Sequence, residues 1–238
     1  MSHTQRTLAY IGCYADADKP GIIACEYDAA AGRFRKVQEV SGLKNPTFLA
    51  VDSRRLMLYA IAERTDASGQ KRGAACAFKI NESDGTLTAV NEEETVQAST
   101  CHITLDATGR CLITASYHGG LVGLNPVLDD GRVGPAADVR RHEGSSVLPV
   151  QSQARAHSVF VDRANRFAVA CDLGLDKLIV YKLDPERLKL IPHSETTVAP
   201  GSGPRHFAFH PTQARGYVIN ELSSTVTAFD YDAELGVL

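Results

Sequence analysis

Between Ala154 and Asp184 the chain alternates short apolar runs with polar turns. An apolar stretch, Ser158–Asp162, leads through Arg163-Ala164-Asn165 into a second, Arg166–Cys171. A loop from Asp172 to Asp176 precedes a third, Lys177–Leu183, and a turn at Asp184-Pro185-Glu186 opens onto a fourth, Leu188–Ile191. Runs this short, rich in Val, Ile, Phe and Tyr and bounded by Asp, Asn, Gly and Pro, predict a small antiparallel sheet.

The pattern recurs. His206 to Glu221 matches His157 to Asp172 position for position, and Cys101-His102 through Tyr117 and Pro46 through Ile61 repeat it at the same spacing. The repeats begin roughly fifty residues apart, the period of propeller blades built from four short strands. The first repeat is incomplete: Thr7–Tyr14, Gly21–Asp28 and Gly32–Val40 read as the second, third and fourth strands of a blade without its first. Complete units follow over Asn45 to about Val96, Thr100 to about Val139, and the opening stretch, with a polar connection over Arg140–Ala154. The last unit begins at Gly203-Pro204-Arg205-His206. The expected tally is three strands, three sets of four, then three, in an all-β propeller with about five blades. Residues 1–238 are expected to form one propeller domain, incomplete at its C-terminus, with the strand that completes the first blade lying further on.

With 238 residues, 44% of them hydrophobic, the chain can bury a substantial core. A net charge of -3 without a Lys/Arg run or basic-aromatic stripe argues against nucleic acid as a partner. The N-terminal MSHTQRTLAYIG has no sustained apolar core, and no later segment approaches a membrane span, so a soluble, cytoplasmic protein is expected. Six cysteines without a C-x-x-C predict buried free thiols in a reducing compartment, and Cys101, beside His102, is the only candidate nucleophile among them. No His/Asp/Glu spacing argues for a metal site, and no cofactor is implied.

Successive strands of an antiparallel blade reverse direction. The start of strand one and the loop between strands two and three therefore share one face of the disc. On that face the repeat groups Arg155 and His157 with Arg205 and His206, and adds Asp172, Glu221 and the Tyr117-His118-Gly119-Gly120 loop. His102 stands at such a start too. Cations, carboxylates and imidazoles around one channel mouth suit binding an anionic substrate and moving a proton on it. Structural roles fit the same residues: His206 as a hydrogen bond to a neighbouring blade, Asp172-Leu-Gly-Leu-Asp176 and His118-Gly-Gly as turns, Arg205 and Glu221 as an inter-blade ion pair. His3, His142 and His193 have no evident partner and are expected at the surface.

Tyr10-Ile-Gly-Cys-Tyr14, Asn45-Pro46-Thr-Phe-Leu-Ala-Val, Cys101-His102, Ala115-Ser-Tyr-His-Gly-Gly120, Ala156-His157-Ser-Val, Asp172-Leu-Gly-Leu-Asp176, Gly203-Pro-Arg-His206 and Asn220-Glu221-Leu together resemble the seven-bladed propeller lactonases. That family includes the propeller type of 6-phosphogluconolactonase and the carboxymuconate-cyclising enzymes. The resemblance spans nearly the whole chain. It implies a seven-bladed whole and a catalytic set of His157, Arg205 and Glu221, with Arg155, Asp172, His206, His102 and His118 as substrate-binding candidates. A further Arg of the cyclising branch would fall in a later blade. Many relatives have a His where this chain has Arg155, which bears on anion recognition.

The expected activity is hydrolysis of a small anionic lactone, 6-phosphoglucono-1,5-lactone first among them, without metal or organic cofactor. His157 would move the proton, Arg205 stabilise the oxyanion or hold the phosphate, and Glu221 orient them. The alternatives are lactonising cyclisation of a carboxymuconate-type acid, or a non-catalytic interaction platform. The chain has no tryptophan and lacks Trp-Asp and Gly-His repeat signatures, which disfavours the platform.

Overall fold

A computed structural model describes residues 7–238, which leaves His3 outside the described residues. The first sheet contains β1 (Thr7–Gly12), β2 (Ile22–Asp28) and β3 (Arg33–Val40). The second contains β4 (Leu49–Asp52), β5 (Met57–Thr65), β6 (Lys71–Ile80) and β7 (Leu87–Glu94). The third contains β8 (His102–Leu105), β9 (Cys111–Ser116), β10 (Leu121–Pro126) and β11 (Asp138–Arg141). The fourth contains β12 (Ala156–Val161), β13 (Phe167–Asp172), β14 (Lys177–Asp184) and β15 (Lys189–Thr197). The fifth contains β16 (Pro204–Phe209), β17 (Arg215–Asn220) and β18 (Thr225–Asp230). The tally of three, four, four, four and three among the described residues is the one the repeat predicts.

Every sheet is an antiparallel meander, and the innermost strands β4, β8, β12 and β16 touch in succession around the axis. The apolar cores lie between neighbouring sheets. Ile113, Val122, Val159 and Ala168 fill the third-to-fourth gap, and Val169, Val180, Phe207 and Val218 fill the fourth-to-fifth. β5, β9 and β13, second in their sheets and buried on both faces over most of their length, therefore read as continuous apolar runs rather than strict alternation.

The turn after each first strand is closed by one device. The buried carboxylates of Asp52, Asp106 and Asp162 accept backbone N–H groups of the turn, and His210 Nδ1 does so in the fifth sheet. Two boundaries differ from expectation. β15 continues through Pro192 to Thr197, because an outermost strand tolerates a residue without an N–H. β11 extends to Arg141, into the stretch expected to be a connection.

Strand pairing also corrects the alignment of the repeats by one residue. Ala156 pairs with Asp172 and Pro204 with Asn220, so His157 corresponds to Arg205 and Asp172 to Asn220. His206 instead corresponds to Ser158, and Glu221 to Leu173. Repeating histidines had suggested the other phase, and the spacing within each repeat is the same for both.

Candidate active site

His157 and Arg205 occupy the same special position in adjacent blades. Pairing between β12 and β13 shifts between Ala156 and Ser158, and pairing between β16 and β17 shifts between Pro204 and His206. Each of the two residues is therefore the unpaired member of a β-bulge, a device that re-aims a side chain at the end of a ladder. Their side chains meet: Arg205 Nε–H donates to His157 Nε2 at 3.1 Å, and the same Nε lies 2.7 Å from Glu221 Oε2. Glu221 follows β17, and its backbone N–H donates to the Gly203 carbonyl just ahead of Arg205. Ser158 Oγ donates to the Arg205 carbonyl at 2.7 Å, which fastens the two blades at this point.

The bond from Arg205 settles the His157 tautomer. Nε2 accepts, so the ring proton sits on Nδ1, a buried atom without a partner among the described residues. Burial, the Arg205 charge and His206 together push the imidazole down to about 3, so it is neutral at pH 7. Arg205 and Glu221 remain about half exposed, at 46% and 45%. Beside them opens a cleft of ≈ 390 Å³ bordered by both residues and by Asn220, Ser224 and Thr225.

Behind this pair the channel is lined by rings. His206 stands 5.2 Å from His157 and 5.5 Å from His102, centre to centre, and Phe48 packs 4.2 Å from His102. Phe160 completes the wall against His102 and His206. Phe48 and Phe160 were not among the sequence candidates; their inward positions follow only from strand register. His102 is 1% exposed, its Nδ1 accepts the Val159 N–H, and its Nε2 is without a partner among the described residues. Burial, then His206 and His157, hold it well below the ordinary histidine range. His206 is lowered too, by burial and then by Arg205. No group of three or more His, Cys, Asp or Glu among the described residues is arranged to hold a metal ion.

The remaining candidates separate. The Arg155 guanidinium lies 4.8 Å from the centre of the Tyr117 ring, whose edge meets His157 at 5.8 Å, and Arg155 Nε donates to the Val150 carbonyl. His118 is exposed and meets the Tyr117 ring edge to face at 5.2 Å between centres. Asp172 is not at the mouth: it is fully buried, and Oδ1 accepts the N–H groups of Arg155, Gly174 and Leu175. Its Oδ2 takes the Nδ1–H of His142, whose Nε2 accepts the Tyr181 hydroxyl, each at 2.6 Å. His142 is thus a buried linker rather than a surface residue, a role set by contacts 30 and 39 positions away in the chain. His193 is exposed as expected, but it has a partner in the Leu235 carbonyl. Cys101 is not placed as a nucleophile. Its thiol donates to the His157 carbonyl and is pushed by burial up to about 12, and all six cysteines are free.

A family model described as a seven-bladed β-propeller lactonase matches residues 8–238. The chain is 33% identical to a 6-phosphogluconolactonase of Bacillus subtilis over 96% of its own length and 64% of the relative's. It is 29% identical to one of Formosa agariphila over 92% and 63% of the two chains. Among solved structures, the periplasmic gluconolactonase of Pseudomonas aeruginosa superposes with a TM-score of 0.87 at 27% identity, over 96% of this chain and 65% of that one. The chain therefore spans about 64% of the length of the B. subtilis relative. It belongs to the seven-bladed β-propeller lactonase family.

Proposed function

We propose that the protein is a lactonase whose chemistry is carried by His157, Arg205 and Glu221, acting on a small anionic sugar lactone such as 6-phosphoglucono-1,5-lactone. The observation that carries the reading is the Arg205 Nε atom engaged by a neutral imidazole on one side and a carboxylate on the other. The single Nε–H donates to His157 while the Glu221 carboxylate pairs with the charge from beside it, and the outer N–H groups of the guanidinium would then receive an incoming carbonyl oxygen. Glu221 holds the guanidinium in that pose.

In the resting site His157 is a weak base because Arg205 both occupies its lone pair and repels its protonated form. An anionic substrate on Arg205 draws that charge and N–H away. His157 then regains basicity at the moment it is needed. Its Nε2 takes a proton from water as the water oxygen bonds to the lactone carbonyl carbon. Collapse breaks the bond from that carbon to the ring oxygen, and His157 returns the proton to the departing oxygen. Arg155, whose guanidinium packs over Tyr117, would receive a phosphate in this reading. The product would be 6-phosphogluconate, which places the reaction in the pentose phosphate pathway. Six free thiols support a reducing, cytoplasmic setting.

The test is His157→Ala assayed on phosphorylated and unphosphorylated gluconolactones. The proposal expects a fall of about a hundredfold or more in kcat/KM. Turnover within a few-fold of the unsubstituted protein would remove it.

A further inference from the structure

The loop between β13 and β14, Asp172-Leu173-Gly174-Leu175-Asp176, ends in a second carboxylate that the reaction above does not use. Asp176 is 3% exposed and lies on the fourth blade. Its hydrogen bonds nonetheless reach two other segments. Oδ1 accepts the Gly203 N–H at 2.7 Å, and Oδ2 accepts the Gly201 N–H at 2.7 Å and the Ser146 hydroxyl at 2.5 Å. Burial works to raise this carboxyl, but the donors outweigh it and hold it below its ordinary value, so it stays an ionised acceptor at neutral pH.

Gly203 is the pivot. Its φ of +65° suits glycine, and a Cβ there would meet Leu222 Cγ at 2.5 Å. Its N–H is held by Asp176, its carbonyl accepts the Glu221 N–H at 2.8 Å, and Arg205 follows two residues later. A single residue, through the two peptide units that flank its Cα, is thus tied to the fourth blade on one side and to the Glu221 backbone on the other, with Arg205 two positions on.

We propose that Asp176 is a positioning residue: by gripping Gly203 across the blade boundary it sets the Arg205–Glu221 pair against His157. The inference rests on the lactonase reading for its catalytic consequence, but not for its geometric one. A carboxylate that only stabilised the loops would be equally served by its bond to Ser146, so Ser146→Ala separates the two roles.

The experiment compares Asp176→Asn, Asp176→Ala and Ser146→Ala in the 238-residue chain by thermal melting, steady-state kinetics on 6-phosphogluconolactone, amide exchange at Glu221 and NMR titration of His157. Positioning predicts that the Asp176 variants lose about tenfold to a hundredfold in kcat with KM within about threefold. It also predicts that their Glu221 amide exchanges at least about tenfold faster, and that His157 titrates higher as Arg205 swings away. Ser146→Ala should melt lower yet keep kcat, exchange and titration within about twofold. Folded Asp176 variants with unchanged kcat, exchange and titration overturn the proposal, as does a Ser146→Ala variant that loses as much kcat at the same loss of melting temperature. If the unsubstituted chain turns over no lactone, the lactonase reading falls alone, and the Glu221 and His157 readouts still decide the positioning. If neither Asp176 variant folds, exchange in the unsubstituted chain decides: Gly203 and Glu221 amides opening at one rate support it, and a Glu221 amide about tenfold faster than Gly203 overturns it.

Discussion

Replacing Arg205 by methionine tests the electrostatic core of the site. The Arg205 charge bears on His157 through a 3.1 Å contact, and the imidazole is held at about 3 by burial, by that charge and by His206. A unit charge centred about 4 Å away at an effective dielectric near 20 is worth about 4 kcal/mol. Arg205 is half exposed, at 46%, so solvent and salt reduce this to roughly a third, or about one pKa unit. His157 should therefore titrate near pH 4 in the variant, still below the ordinary 6.5 because its burial and His206 persist. Arg205→Lys keeps the charge and should leave the midpoint near 3 while losing the two-sided geometry at Nε. The measurement is the Hε1 chemical shift of His157 against pH, assigned by its absence in His157→Asn. The acid limb of kcat/KM, which reports the free enzyme, should move upward in parallel where turnover remains measurable. An Arg205→Met midpoint unchanged at 3, or an unsubstituted midpoint near 6.5, would refute the reasoning.

Other consequences follow from the buried groups in and around the candidate site. His157 and His102 are held neutral by the fold but take protons near pH 6.5 once unfolded, so stability is retained above that pH and lost as pH falls toward 3. The loss approaches about 1.4 kcal/mol per pH unit for each histidine, and urea midpoints at pH 7 and pH 5 should differ less in His102→Phe than in the unsubstituted chain. Asp172→Ala strands the N–H groups of Arg155 and Gly174 together with buried His142, at about 3 kcal/mol or more. The melting temperature should fall by about 10 °C, and an unchanged melt would contradict the account of that network. Cys101→Ser preserves a donor to the His157 carbonyl and should keep activity within about threefold, whereas loss comparable to His157→Ala would return the thiol to the chemistry.

How much of this was legible in the sequence depended on the range of the cause. Strand existence and the grouping into blades came from local alternation and turn residues, and these are short-range properties. The phase within each repeat was not legible, because a β-bulge inserts an unpaired residue without changing composition. His157 and His206 look like counterparts by identity, yet pairing shows that His157 answers to Arg205. The same slip made Asp172 look like a partner of Glu221 at the mouth. The buried His142 was unreadable for another reason: its partners come from separate strands, and a lone histidine after an arginine pair looks like surface.

Corrected register explains why reactive groups gather on one rim without any special loop. Register places Cys101, just ahead of β8, at the position of His157 and Arg205, and His102 at that of Ser158 and His206; Thr47 and Phe48 stand at the corresponding places ahead of β4. The fold offers a corresponding position in each of these blades, and in the fourth and fifth a β-bulge re-aims it. In the second and third blades that position holds a small hydroxyl and a half-buried thiol, and the thiol spends its hydrogen bond on the His157 carbonyl. In the fourth and fifth it is filled by an imidazole and a guanidinium in direct contact. The proposed site arises from unequal filling of equivalent positions. The residues that support those two slots, Ser158 on the Arg205 carbonyl and Asp176 on Gly203, therefore bridge blades rather than sit within one. Their bonds fix the offset between neighbouring sheets, and with it the distance across which His157 and Arg205 meet.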